Sequence, residues 1–179
     1  MDLNNSTTKE EERDYAQTPK WFFKAFGEDV LKMNFTLDVC ANKATAKVSN
    51  YYSLDEDGNN GLHLPWSKVN WCNPPYSKIQ PWGEKAAQEA SKGNITAMLI
   101  PDKAEVGYTK YCREHADSVI HMTSRLNFIR PNGEIFLDKK TGRPQGPKFP
   151  VCIFLFTPFG LSAPIRDIYW DFSGYKPSK

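Results

Sequence analysis

Apolar and polar positions follow two different periods along this chain. Residues 35–39 (Phe-Thr-Leu-Asp-Val) alternate with a period of two, which predicts a first strand with Asp38 near its carboxyl end. Residues 69–72, 95–100 and 151–156 are short apolar runs bounded by turn residues, as strands buried on both faces are. Residues 118–122 predict one further short strand. Between the strands the period lengthens. Trp21, Phe22, Ala25 and Phe26 recur at helical spacing, with Thr18 expected as N-cap, Pro19 at the first helical position and Gly27 ending the first turns. Ile79, Trp82, Ala86, Ala87 and Ala90 predict a second helix, closed by Gly93. Residues 105–115 suggest a third. Strands alternating with helices predict an α/β fold with a largely parallel sheet.

Two stretches depart from a plain doubly wound pattern. Asn73 follows Asp38 by 35 residues, where a full α/β domain inserts two βα units of about 30 residues each. That interval holds Tyr51-Tyr52-Ser53-Leu54 and an acidic Gly/Asn loop over residues 55–61, so a shortened half-sheet is expected. Farther on, residues 125–129 and 134–137 flank Pro131-Asn132-Gly133, and Asn-Gly is a strong antiparallel hairpin signal. Residues 1–15 are polar without periodicity and are expected to be mobile. One domain is expected over residues 16–160. Residues 161–179 form a tail whose Tyr169, Trp170, Phe172 and Tyr175 either pack on the body or meet a partner.

At 179 residues the chain has room for one good core. No apolar run approaches a membrane span and no signal peptide opens the chain, so a cytoplasmic protein with no membrane partner is expected. Four scattered cysteines form no C-x-x-C pair, and His63, His115 and His121 have no ligand spacing, so no metal is expected. Cys40, Cys72 and Cys152 read as small buried hydrophobes. The net charge is only +2, so nucleic-acid binding has to come from a local patch. One basic patch stands out: between Arg125 and Lys148 lie six Lys/Arg and two Asp/Glu. Arg125, Arg130, Lys139, Lys140, Arg143 and Lys148 are its candidate DNA contacts, against the plain alternative of a solvated loop.

The tetrapeptide Asn73-Pro74-Pro75-Tyr76 carries the most specific chemistry. It leaves the end of a predicted strand and precedes a predicted helix. Two prolines fix their own φ and hold the residues before them extended. Such a turn can aim an amide oxygen and a backbone carbonyl at one point, with an aromatic face beside them. An exocyclic amine on a planar base is a poor nucleophile because its lone pair is delocalised into the ring. The Asn73 oxygen and the Pro74 carbonyl can each accept one of its N–H bonds and localise that lone pair, while Tyr76 stacks on the base and Pro75 stiffens the turn. The plain alternative is a structural Asn-Pro turn. Position favours the chemical reading, because α/β folds bind ligands outside the carboxyl ends of their strands.

This tetrapeptide resembles the (D/N/S)PP(Y/F) motif of amino-methyltransferases, which use S-adenosylmethionine. The wider set narrows the resemblance: Thr18-Pro19-Lys20-Trp21-Phe22, then residues 35–41, Asp57-Gly58, Trp71-Cys72 before the tetrapeptide, Arg125-Leu126-Asn127-Phe128, and Phe149-Pro150. Together these are similar to the Dam-like DNA N-6-adenine methyltransferases of phages and prophages. The resemblance implies a compact, shortened Rossmann-like class I methyltransferase sheet and methyl transfer to adenine in DNA, with the target base flipped or unpaired. It implies that the Thr18-Pro19-Trp21 start lies against S-adenosylmethionine and that Asp38 faces its methionine part, against the alternative of a strand-end cap. Cys40 and Ala41 stand where such enzymes carry a glycine-rich turn, a departure that small residues still accommodate. Asp55 or Asp57 is expected to hold the ribose, unless the loop is only a solvated turn. An enzyme acting on protein glutamine or RNA, and an inactive nucleic-acid-binding module, remain alternatives.

Overall fold

The computed structural model describes residues 16–130, 132–138, 140–144, 149–159 and 164–177. The expectations for residues 1–15, Lys139 and Lys148 lie outside these. Seven strands form one sheet: β1 (Leu37–Ala41), β2 (Tyr51–Ser53), β3 (Val69–Cys72), β4 (Ile95–Pro101), β5 (Ser118–Met122), β6 (Val151–Phe156) and β7 (Arg166–Trp170). Their order is β2-β1-β3-β4-β6-β5-β7, and only β6 runs against the others. The helices are α1 (Lys20–Ala25), α2 (Gln80–Ser91) and α3 (Gly107–His115). The expected α/β class and largely parallel sheet are what the structure has.

Successive residues of the central strands enter opposite cores, as the period of two requires. Cys72, Met98, Ile100, Cys152 and Phe154 pack on one face with Trp82, Ala86 and Ala90 of α2 and Cys112 of α3. Trp71, Ala97, Leu99, Val151 and Ile153 pack on the other with Phe22, Ala25 and Phe26. Covering both faces explains why β4 and β6 read as unbroken apolar runs. Asn70 is the polar exception in β3. Its amide donates to the Ser67 and Ile95 carbonyls at 2.8 and 2.9 Å and accepts from the Ser67 N–H at 3.0 Å, so its burial leaves nothing unpaired.

Several boundaries differ from the expected ones. β1 starts two residues later than the alternation suggested, because Phe35 turns into the aromatic cluster around Trp71. Pro19, not Thr18, stands at the N-cap of α1, and no side chain caps that end. Gly27 does not stop the helix. A π-helical turn, Phe26–Leu31, continues it until Lys32 adopts a left-handed conformation. The half-sheet is short as expected: no helix intervenes between β1 and β3, and β2 has three residues. The Asn132-Gly133 turn forms, with Gly133 at φ +85°. Among the described residues its arms meet at one isolated bridge, Ile129 with Ile135, in place of a hairpin ladder, and a second bridge, Leu137 with Pro144, closes the turn that follows. Of the C-terminal aromatics, Trp170 and Phe172 pack on Phe22 at 5.3 and 5.0 Å, and β7 is a strand of the sheet itself.

Candidate active site

Chain direction across the sheet reverses between β1 and β3: β2 lies outside β1, and β4 lies beyond β3. Crevices at such switch points are where open α/β sheets hold ligands. A cleft of about 320 Å³ opens there, between the ends of β1 and β3 and the segment of residues 16–18 that enters α1. Asp38, Cys40 and Ala41 line it from β1, Asn73 and Pro75 from the turn after β3, Thr18 from the entering segment, and Asp55 from the loop after β2.

Asn73 donates its amide N–H to the Ala16 carbonyl at 3.3 Å. That bond orients the side chain and leaves its Oδ1 buried with no hydrogen-bond partner. The Thr18 hydroxyl is in the same condition. Two orphaned polar atoms on residues that line one cleft cost free energy unless something fills their hydrogen bonds. Tyr76 differs from both. It does not line the cleft: its hydroxyl is buried without a partner, burial pushes its pKa well up, and the residue as a whole is partly exposed. The Phe128 ring stands nearly perpendicular to the Tyr76 ring with centroids 6.2 Å apart, and Phe149 lies tilted at 6.1 Å.

Asp38 is 3% exposed and sits in register with Trp71, two residues before Asn73. Burial raises its carboxyl from 3.8 to about 6, against the lowering influence of the Lys47 and Cys40 N–H groups and of the Lys47 charge. The Cys40 N–H reaches Oδ1 at 3.4 Å and the Lys47 N–H reaches Oδ2 at 3.0 Å. Asp38 is the second residue of β1 and not near its carboxyl end, because the strand runs on to Ala41; it ties an N–H of its own strand to one of the loop that follows, and it lines the cleft. The missing glycine-rich turn is explained alongside. Asn42 Oδ1 accepts from the Ala44 and Thr45 N–H groups at 3.0 and 3.1 Å, and Thr45 Oγ1 accepts from Asn42 N at 2.9 Å, so side chains close the bend that glycines would otherwise allow.

Other expected residues fall elsewhere. Asp55 borders the cleft and accepts from the Asn42 amide at 3.3 Å, whereas Asp57 is exposed in the turn beyond it. Pro19 and Trp21 do not line the cleft: Pro19 is buried at the helix start, and Trp21 packs on Phe22 and Phe172, both at 5.9 Å. Pro74 is buried behind the turn. Gln17, Asn42, Thr45, Lys47, Ser77 and Lys78 line the cleft and carry no sequence signal that singles them out. The basic segment is attached to the same rim: Gln17 pairs with Ile129 through backbone bonds of 2.8 and 2.9 Å, and its amide donates to the Arg130 carbonyl at 3.3 Å. Arg125, Lys140 and Arg143 are exposed, while the Arg130 guanidinium lies over the Phe136 ring at 5.1 Å. Among the described residues no His/Cys/Asp/Glu group could hold a metal ion, and no helix is long and apolar enough to cross a membrane.

A largely parallel sheet, a ligand cleft at its switch point and an Asn-Pro-Pro-Tyr turn on the rim define a Rossmann-like methyltransferase class. Comparison with known proteins narrows it. The family model described as DNA N-6-adenine-methyltransferase (Dam) matches residues 5–168, and the chain belongs to that family. The DNA N-6-adenine-methyltransferase of Haemophilus phage HP1 (strain HP1c1) is 30% identical over 130 residues, which cover 71% of this chain and 73% of the relative. The DNA N-6-adenine-methyltransferase of Escherichia phage T1 is 25% identical over 118 residues, covering 61% of this chain but 48% of that protein.

Proposed function

We propose that the chain transfers a methyl group from S-adenosylmethionine to the 6-amino group of adenine in DNA, in the cytoplasm of a bacterial host. The observation that carries the chemistry is the buried, unpartnered Asn73 Oδ1 at the carboxyl end of β3, in one cleft with Asp38. The cleft fits the cofactor by its donors and acceptors: a carboxylate for an ammonium group, and the orphaned Thr18 hydroxyl and Asn73 oxygen for polar edges. When bound, the cofactor supplies a methyl group activated on a sulfonium.

Asn73 Oδ1 and the Pro74 carbonyl accept the two N–H bonds of the target amine and draw its lone pair out of the ring. A bound cofactor would supply the methyl group to that lone pair, and the proton the amine gives up would pass to solvent. Tyr76 offers its ring face to the base, and the buried hydroxyl takes no part. Asp38 would hold the ammonium of the cofactor's amino-acid end, and Asp55 the ribose hydroxyls. A duplex hides the amine from such a cleft, so the target base is extruded or already unpaired. The exposed Arg125, Lys140 and Arg143, with Lys139 and Lys148, contact phosphates, which a protein substrate would not require.

The test is incubation with S-adenosylmethionine and DNA, followed by nucleoside mass spectrometry. N6-methyladenine is expected in the DNA. Methyl groups found only on RNA or on protein glutamine would replace this reading with the corresponding one.

A further inference from the structure

The cleft contains a charge that the reaction as derived does not use. Lys47, on the loop between β1 and β2, lines the cleft beside Asp38. Its own backbone N–H is bound to Asp38 Oδ2 at 3.0 Å, which fixes the two residues side by side. Yet the two charged groups form no ion pair, and no other carboxylate of the described residues forms one with Lys47. Its ammonium is drawn aside instead: it donates to Gln17 Oε1 at 3.1 Å and to the Thr45 carbonyl at 2.8 Å. An ammonium has three donors, so one remains. Burial lowers its pKa from 10.5 to about 8, with Asp38 opposing that shift and Lys20 adding to it. A half-buried cation held on two neutral acceptors, beside a carboxylate bound by backbone N–H groups and by no cation, is a costly arrangement for structure alone.

Separated but adjacent opposite charges match a zwitterion. We propose that Lys47 binds the α-carboxylate of the cofactor's amino-acid end, completing with Asp38 a two-charge subsite for that zwitterion. This rests on the S-adenosylmethionine reading above. Lys78, the other cation lining the cleft, is exposed on the turn after Tyr76 and lacks this setting.

Decarboxylated S-adenosylmethionine keeps the ammonium and lacks only the carboxylate. Calorimetric titration of both ligands into the parent and into Lys47→Met separates the possibilities. The parent should bind S-adenosylmethionine about tenfold to a hundredfold more tightly than the decarboxylated form, the range a charge-assisted contact supplies. Lys47→Met should lose that preference by weakening S-adenosylmethionine alone, and Lys47→Arg should restore part of it. A parent that binds both ligands within twofold overturns the assignment without any variant, even if Lys47→Met fails to fold. Equal weakening of both ligands in a folded Lys47→Met also overturns it, since that is what loss of a purely structural tie to Gln17 and Thr45 would give. A parent that binds neither ligand removes the cofactor reading first and this inference with it.

Discussion

Asn73 and Tyr76 stand three residues apart and make opposite use of buried polar atoms. The Asn73 oxygen is left without a partner in a residue that lines the cleft. The Tyr76 hydroxyl is left without one inside the protein. Asn73→Ala removes the acceptor and little packing, so methyl transfer should fall on the order of a hundredfold or more while the melting temperature barely moves. Turnover within a few-fold of the parent would take the tetrapeptide out of the chemistry. Tyr76→Phe deletes an unsatisfied buried hydroxyl and should keep activity with equal or higher stability. Tyr76→Ala should lose most activity, since stacking is worth about 1–3 kcal/mol per base. Asp38 adds a pH signature. Its carboxyl rises from 3.8 to about 6 in the folded state, so the folded protein holds the proton more tightly than the unfolded chain. The contribution of Asp38 to the stability of the ligand-free protein therefore falls as pH climbs from about 4 to about 6, and stays lower above that. Melting curves of Asp38→Asn and parent should coincide near pH 4, with the variant more stable above pH 6. Cofactor affinity should run the other way. It needs the ionised carboxyl and should drop about tenfold per pH unit below 6. Binding that is flat from pH 5 to 7 would separate Asp38 from the cofactor.

At the scale of elements, loops do work that a longer α/β domain gives to helices. The connection from β2 to β3 lies directly on β1 at Gly61: a Cβ there would come 2.1 Å from the Val39 carbonyl oxygen. The Trp66 indole N–H, bound to the Gly61 carbonyl at 2.7 Å, holds the loop down. Gly61→Ala should cost roughly 1–3 kcal/mol, read as a lower denaturation midpoint. An unchanged midpoint would mean the loop can lift off without penalty. In the sequence this glycine looked like any other in an acidic turn. The basic segment makes the second prediction at this scale. Lys140 and Arg143 are exposed on a turn that Asp138 organises by accepting from Lys140 N and Thr141 N at 3.0 and 2.8 Å. If both side chains meet phosphates, replacing them with Ala should flatten the slope of log DNA affinity against log salt by about two units, with cofactor binding unchanged. Superimposable salt titrations would reduce the segment to a solvated connection.

The whole molecule depends on its last described residues. Trp170 and Phe172 are buried against Phe22 and Phe26 of the N-terminal helix, and the Trp170 indole donates to Asp29 at 2.7 Å. Loss of a buried aromatic side chain costs about 3–5 kcal/mol, and a domain's whole stability is about 5–15 kcal/mol. A chain truncated before Arg166 should therefore fail to give a cooperative melt; a normal melt would make β7 an ornament. The sequence by itself determined five of the seven strands, the α/β class, the shortened half-sheet and the Asn-Pro-Pro-Tyr turn, because periodicity, paired prolines and local turn chemistry act over a few residues. Asn73 was legible for the same reason, because it directly follows a strand, whereas Asp38 stands second in β1 and not at its end. Only the tertiary structure decided that Lys47 and Gln17 join them, that Trp21 leaves the cleft for the aromatic core, and that the C-terminal aromatics close that core. Those placements are set by which surfaces meet when distant segments pack, and neither spacing nor composition encodes that meeting locally.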